Sequence, residues 1–429
     1  MITMLIVFLV LLLIGIDLFY SMLIAGLIYL LLSASTAMPI PMTLAPQQLM
    51  AGVDSFTLLA VPMFLLAGEL MSRGGVTIRL IHFAAALVGH IRGGLAQVAV
   101  VANIIMAGMS GSAVADLAAT GSIMIPSMVK KGYKPEFAGA VLAAAATIGA
   151  IIPPSLPMLI IGSMVSVSVG KMFLGGVVPG LLMGFAMMIV VYRYARKNGI
   201  PVERQATVRE VAYSAKESFL ALLLPVIVLG AIIGGFATPT EASVIAVAYA
   251  LVVGLFVYRE IKFSDLPDIF ASVAVISAAV MMTVAAAQLF GWITAAEGLG
   301  TMLSNWLMSI SSNPFVILLL VNIALLLLGT LMEPIPIMLL TVPVFFPIMT
   351  SLGIDPVHFG VVMTLNLMIG CLTPPVGLHI LLASAISKAG VGKVTNASWP
   401  FMGVLVLVLL LITYVPATVM WLPNLVYGH

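Results

Sequence analysis

Two prolines stand side by side twice in this chain, in IGAIIPPSLP at residues 148 to 157 and in IGCLTPPVGL at residues 369 to 378. Each pair lies in a strongly apolar stretch where a helix would otherwise continue. Proline lacks an N–H and clashes with the preceding turn, so each pair must break its helix. Sliding the chain against itself by 221 residues aligns the two breaks and gives 14 identities over the 59 positions from Gly108 to Ser166. Eight of these pairs are glycine or proline, among them Gly108/Gly329, Gly149/Gly370, Pro153/Pro374 and Pro154/Pro375, so the repeated property is backbone geometry rather than greasiness alone. The chain is an internal duplication with one broken helix in each half.

Composition places those breaks in a membrane. The 429 residues are 62% hydrophobic and 7% charged, where soluble domains carry about 25% charge. Several apolar runs are long enough for a bilayer core, which takes about 20 helical residues, and they are spread along nearly the whole chain. Only helices or closed barrels satisfy their backbone in hydrocarbon, and no alternating strand pattern is present. The fold class is therefore an all-α polytopic membrane protein. MITMLIVFLV at the N-terminus has no basic region before it and reads as part of the first span rather than as a signal peptide. Cys371 is the sole cysteine, which excludes an internal disulfide and a thiolate metal cluster. A net charge of +2 gives no reason to expect nucleic acid as a partner.

The polar stretch at residues 192 to 218 divides the halves. We place a first repeat at 1–192, with scaffold helices in 2–71, an arm at 73–92, a re-entrant hairpin at 93–130, a broken helix at 135–168 and a span at 176–192. A cytoplasmic linker follows at 193–217. The second repeat, 218–429, has scaffold helices in 218–290, an arm at 292–312, a hairpin at 313–350, a broken helix at 356–388 and a span at 398–422. If each hairpin enters and leaves on one side, the repeats are inverted. That threading puts 16 of the 17 basic residues on one face, all but Lys171, as the positive-inside rule requires. Both termini then face away from the cytoplasm. Paired breaks in inverted repeats are the sequence mark of a secondary transporter with its sites at the breaks.

The chemistry at those places is spare. In AGMSGSAVADLAATG the first hairpin turns among small residues, and Ser110 or Ser112 can cap the returning helix, whose N-terminus is then an anion site at membrane depth. Glu333 takes the corresponding place in the second hairpin, before Pro334 at the first helical position. Carbonyls freed near Thr147–Ile151 and Met368–Leu372 suit a small hard cation. Each half thus offers a hairpin tip facing an unwound helix, and we expect one sodium site per half with the substrate between them. Candidates for substrate contact are Ser112, Asp116, Ser155, Thr373 and His379. Asp116 stands out as an ionisable group inside a membrane hairpin. Glu69, Glu241 and Glu297 read as interfacial, near span ends. The five histidines show no metal spacing, and the 29 methionines read as packing.

GMSGSAVADLAATG, ATIGAIIPPSLPMLIIG, GGFATPTEASVIAVAYAL and IGCLTPPVGLHILLASAI resemble the large membrane subunit of tripartite ATP-independent periplasmic (TRAP) transporters, the DctM/SiaM-like family, over essentially the whole chain. The resemblance implies an ion-transporter fold whose transport domain moves against a scaffold as an elevator. It also implies sodium coupling with two or more ions, near Ser110, Gly111 and Ser112 with Gly149, Ile152 and Pro153, and near Gly329, Thr330 and Glu333 with Gly370, Thr373 and Pro374. It implies as partners a small four-helix membrane subunit and a soluble periplasmic binding protein. The implied substrate bears a carboxylate, as sialic acid and C4-dicarboxylates do, and the location is the bacterial inner membrane. A stand-alone sodium/carboxylate symporter is the alternative. A membrane enzyme is disfavoured by the absence of HExxH, GxGD or a Ser/His/Asp grouping, and a passive channel by the inverted breaks.

Overall fold

The structure is a computed structural model that describes residues 2–33, 39–200, 202 and 204–428. All regular elements among these are helices. The first half contains α1 (Ile2–Leu13), α2 (Leu18–Ser33), α3 (Leu44–Val53), α4 (Ala60–Arg73), α5 (Val76–Val88), α6 (Gly94–Ser110), α7 (Ala113–Lys130), α8 (Pro135–Ala146), α9 (Leu156–Val165) and α10 (Val169–Lys197). The second contains α11 (Val208–Ile233), α12 (Pro239–Val252), α13 (Leu266–Ala296), α14 (Leu299–Ile310), α15 (Pro314–Gly329), α16 (Pro334–Ser351), α17 (Pro356–Gly370), α18 (Leu378–Ser387), α19 (Val391–Tyr414) and α20 (Ala417–Tyr427). Among the described residues, seven helices, or helices with the short turns that extend them, are long and apolar enough to cross a bilayer.

The 221-residue offset read from the sequence governs the helix boundaries. Both ends of α7 and α16 differ by that offset, as do the starts of α8 and α17. The arms α5 and α14, the hairpins α6–α7 and α15–α16, and the broken helices α8/α9 and α17/α18 follow in the same order in each half. The internal duplication read from the sequence is therefore carried by the order of elements as well as by their boundaries.

The repeats are interleaved rather than placed side by side. The returning arm of the first hairpin, α7, packs on α18 beyond the second break, and α16 packs on α9 beyond the first. The scaffold crosses in the same way, with α4 against α12 and α2 against α13. Each repeat therefore completes the other's core.

Local chemistry sets the ends of the elements. Thr207 and Glu210 form a capping box at the start of α11, and Thr238 and Glu241 form one at the start of α12. Such reciprocal bonds satisfy two N–H groups that a helix start leaves open. The turn from α4 into the arm α5 uses Gly75 at φ +73°, and the turn from α13 into α14 uses Gly298 at φ +71°. Both φ values lie in the left-handed region that glycine enters without a Cβ penalty. Arg79 in α5 bonds the Gly75 carbonyl at 2.8 Å and stacks over Tyr258, its guanidinium carbon 4.0 Å from the ring centre. The second turn is tied by Tyr29, whose hydroxyl donates to Glu297 at 2.5 Å.

Two differences from the sequence reading concern length. The segment between the second and third spans holds a helix, α3, packed along α13. The last span is two helices, because Val415 and Pro416 end α19 before α20 begins. The short α20 lies against the start of α10, where a Cβ at Gly175 would come 3.2 Å from Val419.

Candidate functional site

At the first hairpin the chain turns through Ser110, Gly111 and Ser112. Gly111 has φ +62°, and a Cβ on it would sit 2.6 Å from the Pro154 carbonyl oxygen, so the turn rests directly on the break. Ser112 caps α7, accepting from the Ala115 amide at 3.5 Å, while the Ser110 hydroxyl accepts from the Ser112 amide at 3.3 Å. Beyond the break, the Leu156 amide donates to the Gly111 carbonyl at 3.4 Å. Hairpin tip and unwound helix are thus brought together, as the sequence reading requires.

The break itself is re-capped. Residues Thr147–Ala150 tighten into one 3-10 turn. The Ile148 carbonyl accepts from the Ile151 and Ile152 amides. Ser155 caps α9, donating to the Ala150 carbonyl at 2.5 Å and accepting from the Met158 amide at 3.3 Å. Prolines free fewer acceptors here than their missing N–H groups suggest, because a hydroxyl and nearby amides fold back onto them. Ile152 turns its side chain toward Gly180 of α10, which leaves only its backbone for a site.

The second tip follows the same plan with other groups. Gly329 and Gly370 approach so closely that a Cβ on Gly370 would lie 2.5 Å from the Gly329 Cα. The Val376 amide donates to the Thr330 carbonyl at 3.2 Å. Thr373 bonds back through its amide to Gly370 at 2.8 Å and through its hydroxyl to Ile369 at 2.9 Å. The Cys371 carbonyl accepts from the His379 amide at 3.2 Å. Glu333 is the N-cap residue of α16 and makes no capping bond with its side chain.

Both tips border one cavity of about 650 Å³. It is enclosed by α4 and α5 of the scaffold and arm, by the first tip, by α13 and by the start of α16. Its polar walls include Glu69, Ser110, Ser112, Asp116 and Glu333, and most of the remainder is apolar. Asp116 is fully buried, with the Ser110 side chain beside its carboxylate but neither oxygen in a well-formed hydrogen bond. A Cβ at Gly149 would overlap that carboxylate, so glycine at 149 is what leaves room for the acid. A carboxylate this poorly satisfied at such depth calls for a cation or a further donor from a bound molecule.

Sequence-derived candidates divide by position. Ser110, Ser112, Asp116 and Glu333 line the cavity, whereas Gly149, Ile152 and Pro153 form the wall behind the first tip, and Gly329, Thr330, Gly370, Thr373 and Pro374 gather at the second. Ser155 is buried as a cap. His379 is 1% exposed, with its ring at the Ala143 carbonyl of α8, and it does not line the cavity. Glu241 is spent on its capping box. Glu69, read from the sequence as interfacial, instead lines the cavity from α4 and pairs with Arg73 at 2.6 Å. Its neighbour Gly68 allows close approach, since a Cβ there would lie 3.1 Å from the Ser110 Cα. The signal that could have found it was an acid following glycine within an apolar span.

A family profile described as "Tripartite ATP-independent periplasmic transporter, DctM component" matches residues 5–418. The chain belongs to this family. A C4-dicarboxylate TRAP transporter large permease protein, DctM, of Pseudomonas aeruginosa is 43% identical over 371 residues, covering 86% of this chain and 87% of its own. A sialic acid TRAP transporter large permease protein, SiaM, of Vibrio cholerae is 41% identical over 415 residues, covering 97% and 96%. An isethionate TRAP transporter permease protein, DctMQ, of Oleidesulfovibrio alaskensis is 38% identical over 383 residues, with 60% of its length covered. Among solved structures, the YdaH transporter of Alcanivorax borkumensis superposes with a TM-score of 0.66 at 15% identity, over 92% of this chain and 97% of its own. MtrF of Neisseria gonorrhoeae superposes at 0.61 with 12% identity, over 94% of each chain. These two share the fold. This DctM-family chain is a multi-pass transporter permease and not an enzyme. In it the family-resembling TPTEA element builds scaffold rather than cavity, with Thr238 and Glu241 in a capping box and Thr240 donating to the Phe56 carbonyl at 2.8 Å.

Proposed function

We infer that the chain carries a carboxylate-bearing solute inward by sodium-coupled secondary transport, after a periplasmic binding protein delivers it and together with a small membrane subunit. The observation that carries this reading is the fully buried Asp116, with only the Ser110 side chain beside its carboxylate, in a cavity bordered by both hairpin tips. Sodium held at the tips offsets the charge of Asp116 and Glu333, which would otherwise repel an anionic substrate. Substrate carboxylate then meets the N-terminus of α7, where open amides and the helix dipole favour negative charge. Family membership supports the partner assignments, as does the length of the isethionate relative beyond the matched part. The relatives' printed substrates support an organic acid, with C4-dicarboxylates and sialic acid as the first to try.

For movement, the two hairpins and broken helices form the transport unit, and the crossed scaffold helices form the frame. Substrate passes as the unit slides, with the glycine turns at 75 and 298 as pivots. The distribution of basic residues supports a reading in which both termini face the periplasm. Proteoliposomes with the chain, its small subunit and its binding protein test the reading with labelled succinate and N-acetylneuraminate. Uptake of one that needs an inward sodium gradient is expected. Flux of both that is indifferent to sodium would overturn it, and uptake without the binding protein would favour the stand-alone symporter.

A further inference from the structure

The seam between α15 and α17 carries two contacts on one face. Gly329 meets Gly370 at the tip, and one turn back on α17 Asn366 meets Asn322. The Asn366 amide donates to the Asn322 carbonyl at 2.9 Å and to its side-chain oxygen at 2.7 Å. Asn322 in turn donates to Thr413 of α19 at 3.2 Å. All three side chains are nearly inaccessible, with exposures of 0%, 4% and 1% for Asn366, Asn322 and Thr413. The Asn366 side-chain oxygen has no partner.

Such a chain of polar groups inside a membrane protein is costly unless satisfied, and it fixes the helices it joins. The first half has nothing like it at the same register. Val101 and Ala145 occupy the corresponding positions, and its polar tie, Asn103 with Thr120, joins the two arms of its own hairpin instead. The asparagines therefore do a task peculiar to the second half. They hold the hairpin's first arm on the broken helix, and a hairpin arm held there cannot lift its tip away from Gly370.

We propose that Asn322 and Asn366 are positioning residues for the second ion site, setting the separation of the Thr330 tip from the Gly370–Pro374 break and hence its affinity for sodium. This rests on the sodium reading above. The test uses the purified full chain in detergent, titrated with sodium chloride against choline chloride at constant ionic strength, with thermal stability as readout. Asn366→Leu raises the sodium concentration for half-maximal stabilisation about tenfold, the scale of one lost buried hydrogen bond. Asn322→Leu does the same, and the double variant is no worse than either, because both remove one tie. Asn366→Thr keeps a donor and shifts the midpoint less, which preserves the test if the leucine variant does not fold. Loss of melting temperature equally in sodium and choline, with the midpoint unmoved, overturns the proposal, as do additive effects. Absence of any sodium stabilisation of the wild type would instead fail the sodium reading itself.

Discussion

The two hairpin tips share a backbone plan and differ in almost every functional side chain. At the first, a serine caps the returning helix and a buried acid sits against Gly149. At the second, Glu333 occupies the cap position, Ile337 stands where the first has Asp116, and Gly370 touches Gly329 backbone to backbone. Duplication has kept glycines and prolines, which dictate where the chain can turn, and released the side chains around them. Both tips bring a carboxylate to the cavity, Asp116 one turn inside a serine-capped helix at the first and Glu333 at the cap position itself at the second.

The sharpest way to break this comparison is to make the tips alike. Asp116→Ile copies the second tip into the first, and we expect sodium-driven uptake to fall by two orders of magnitude or more, since an intramembrane carboxylate this poorly satisfied is kept for function. Retained uptake would mean the acid is dispensable. Next come the glycines under the tips. Gly370→Ala forces a methyl against backbone that cannot yield and is expected to cost about 1–3 kcal/mol of stability, seen as a lower melting temperature. Gly149→Ala meets only the end of the Asp116 side chain, which can rotate, so its stability loss is smaller although transport still falls. Equal losses of stability at the two positions would contradict the geometry. Ser112→Ala removes a cap worth about 1 kcal/mol and should weaken substrate affinity about fivefold to tenfold in uptake assays. Thr373→Ala, whose hydroxyl is already spent on Ile369, should give the smallest effect, a shift in sodium dependence of no more than a few fold. If Ser112→Ala and Thr373→Ala both leave sodium dependence and rate intact, neither tip works as described.

Much of the architecture was legible because proline and glycine speak for backbone directly. The offset of 221 residues set the hairpins and breaks, and the tips do meet the breaks. What escaped the sequence depends on tertiary neighbours. The helix α3 is short and carries Gln47 and Gln48, so its apolar pattern gives no span. That Glu69 lines a cavity depends on Gly68 letting α4 approach the first tip. His379 looked available beside the second break, yet one turn of α18 swings it toward α8. The asparagine tie joins residues 44 apart in sequence, a pairing without local periodicity.

The crossed packing of the repeats also bears on how the chain is made. The helix α9 is finished at Val165, but its partner α16 begins only at Pro334. At about 5–20 residues per second of synthesis, the newborn first repeat waits on the order of ten to thirty seconds with that face unmatched. Biogenesis of this protein therefore needs the insertion machinery, or the surrounding lipid, to shelter a half-built core until its inverted twin arrives.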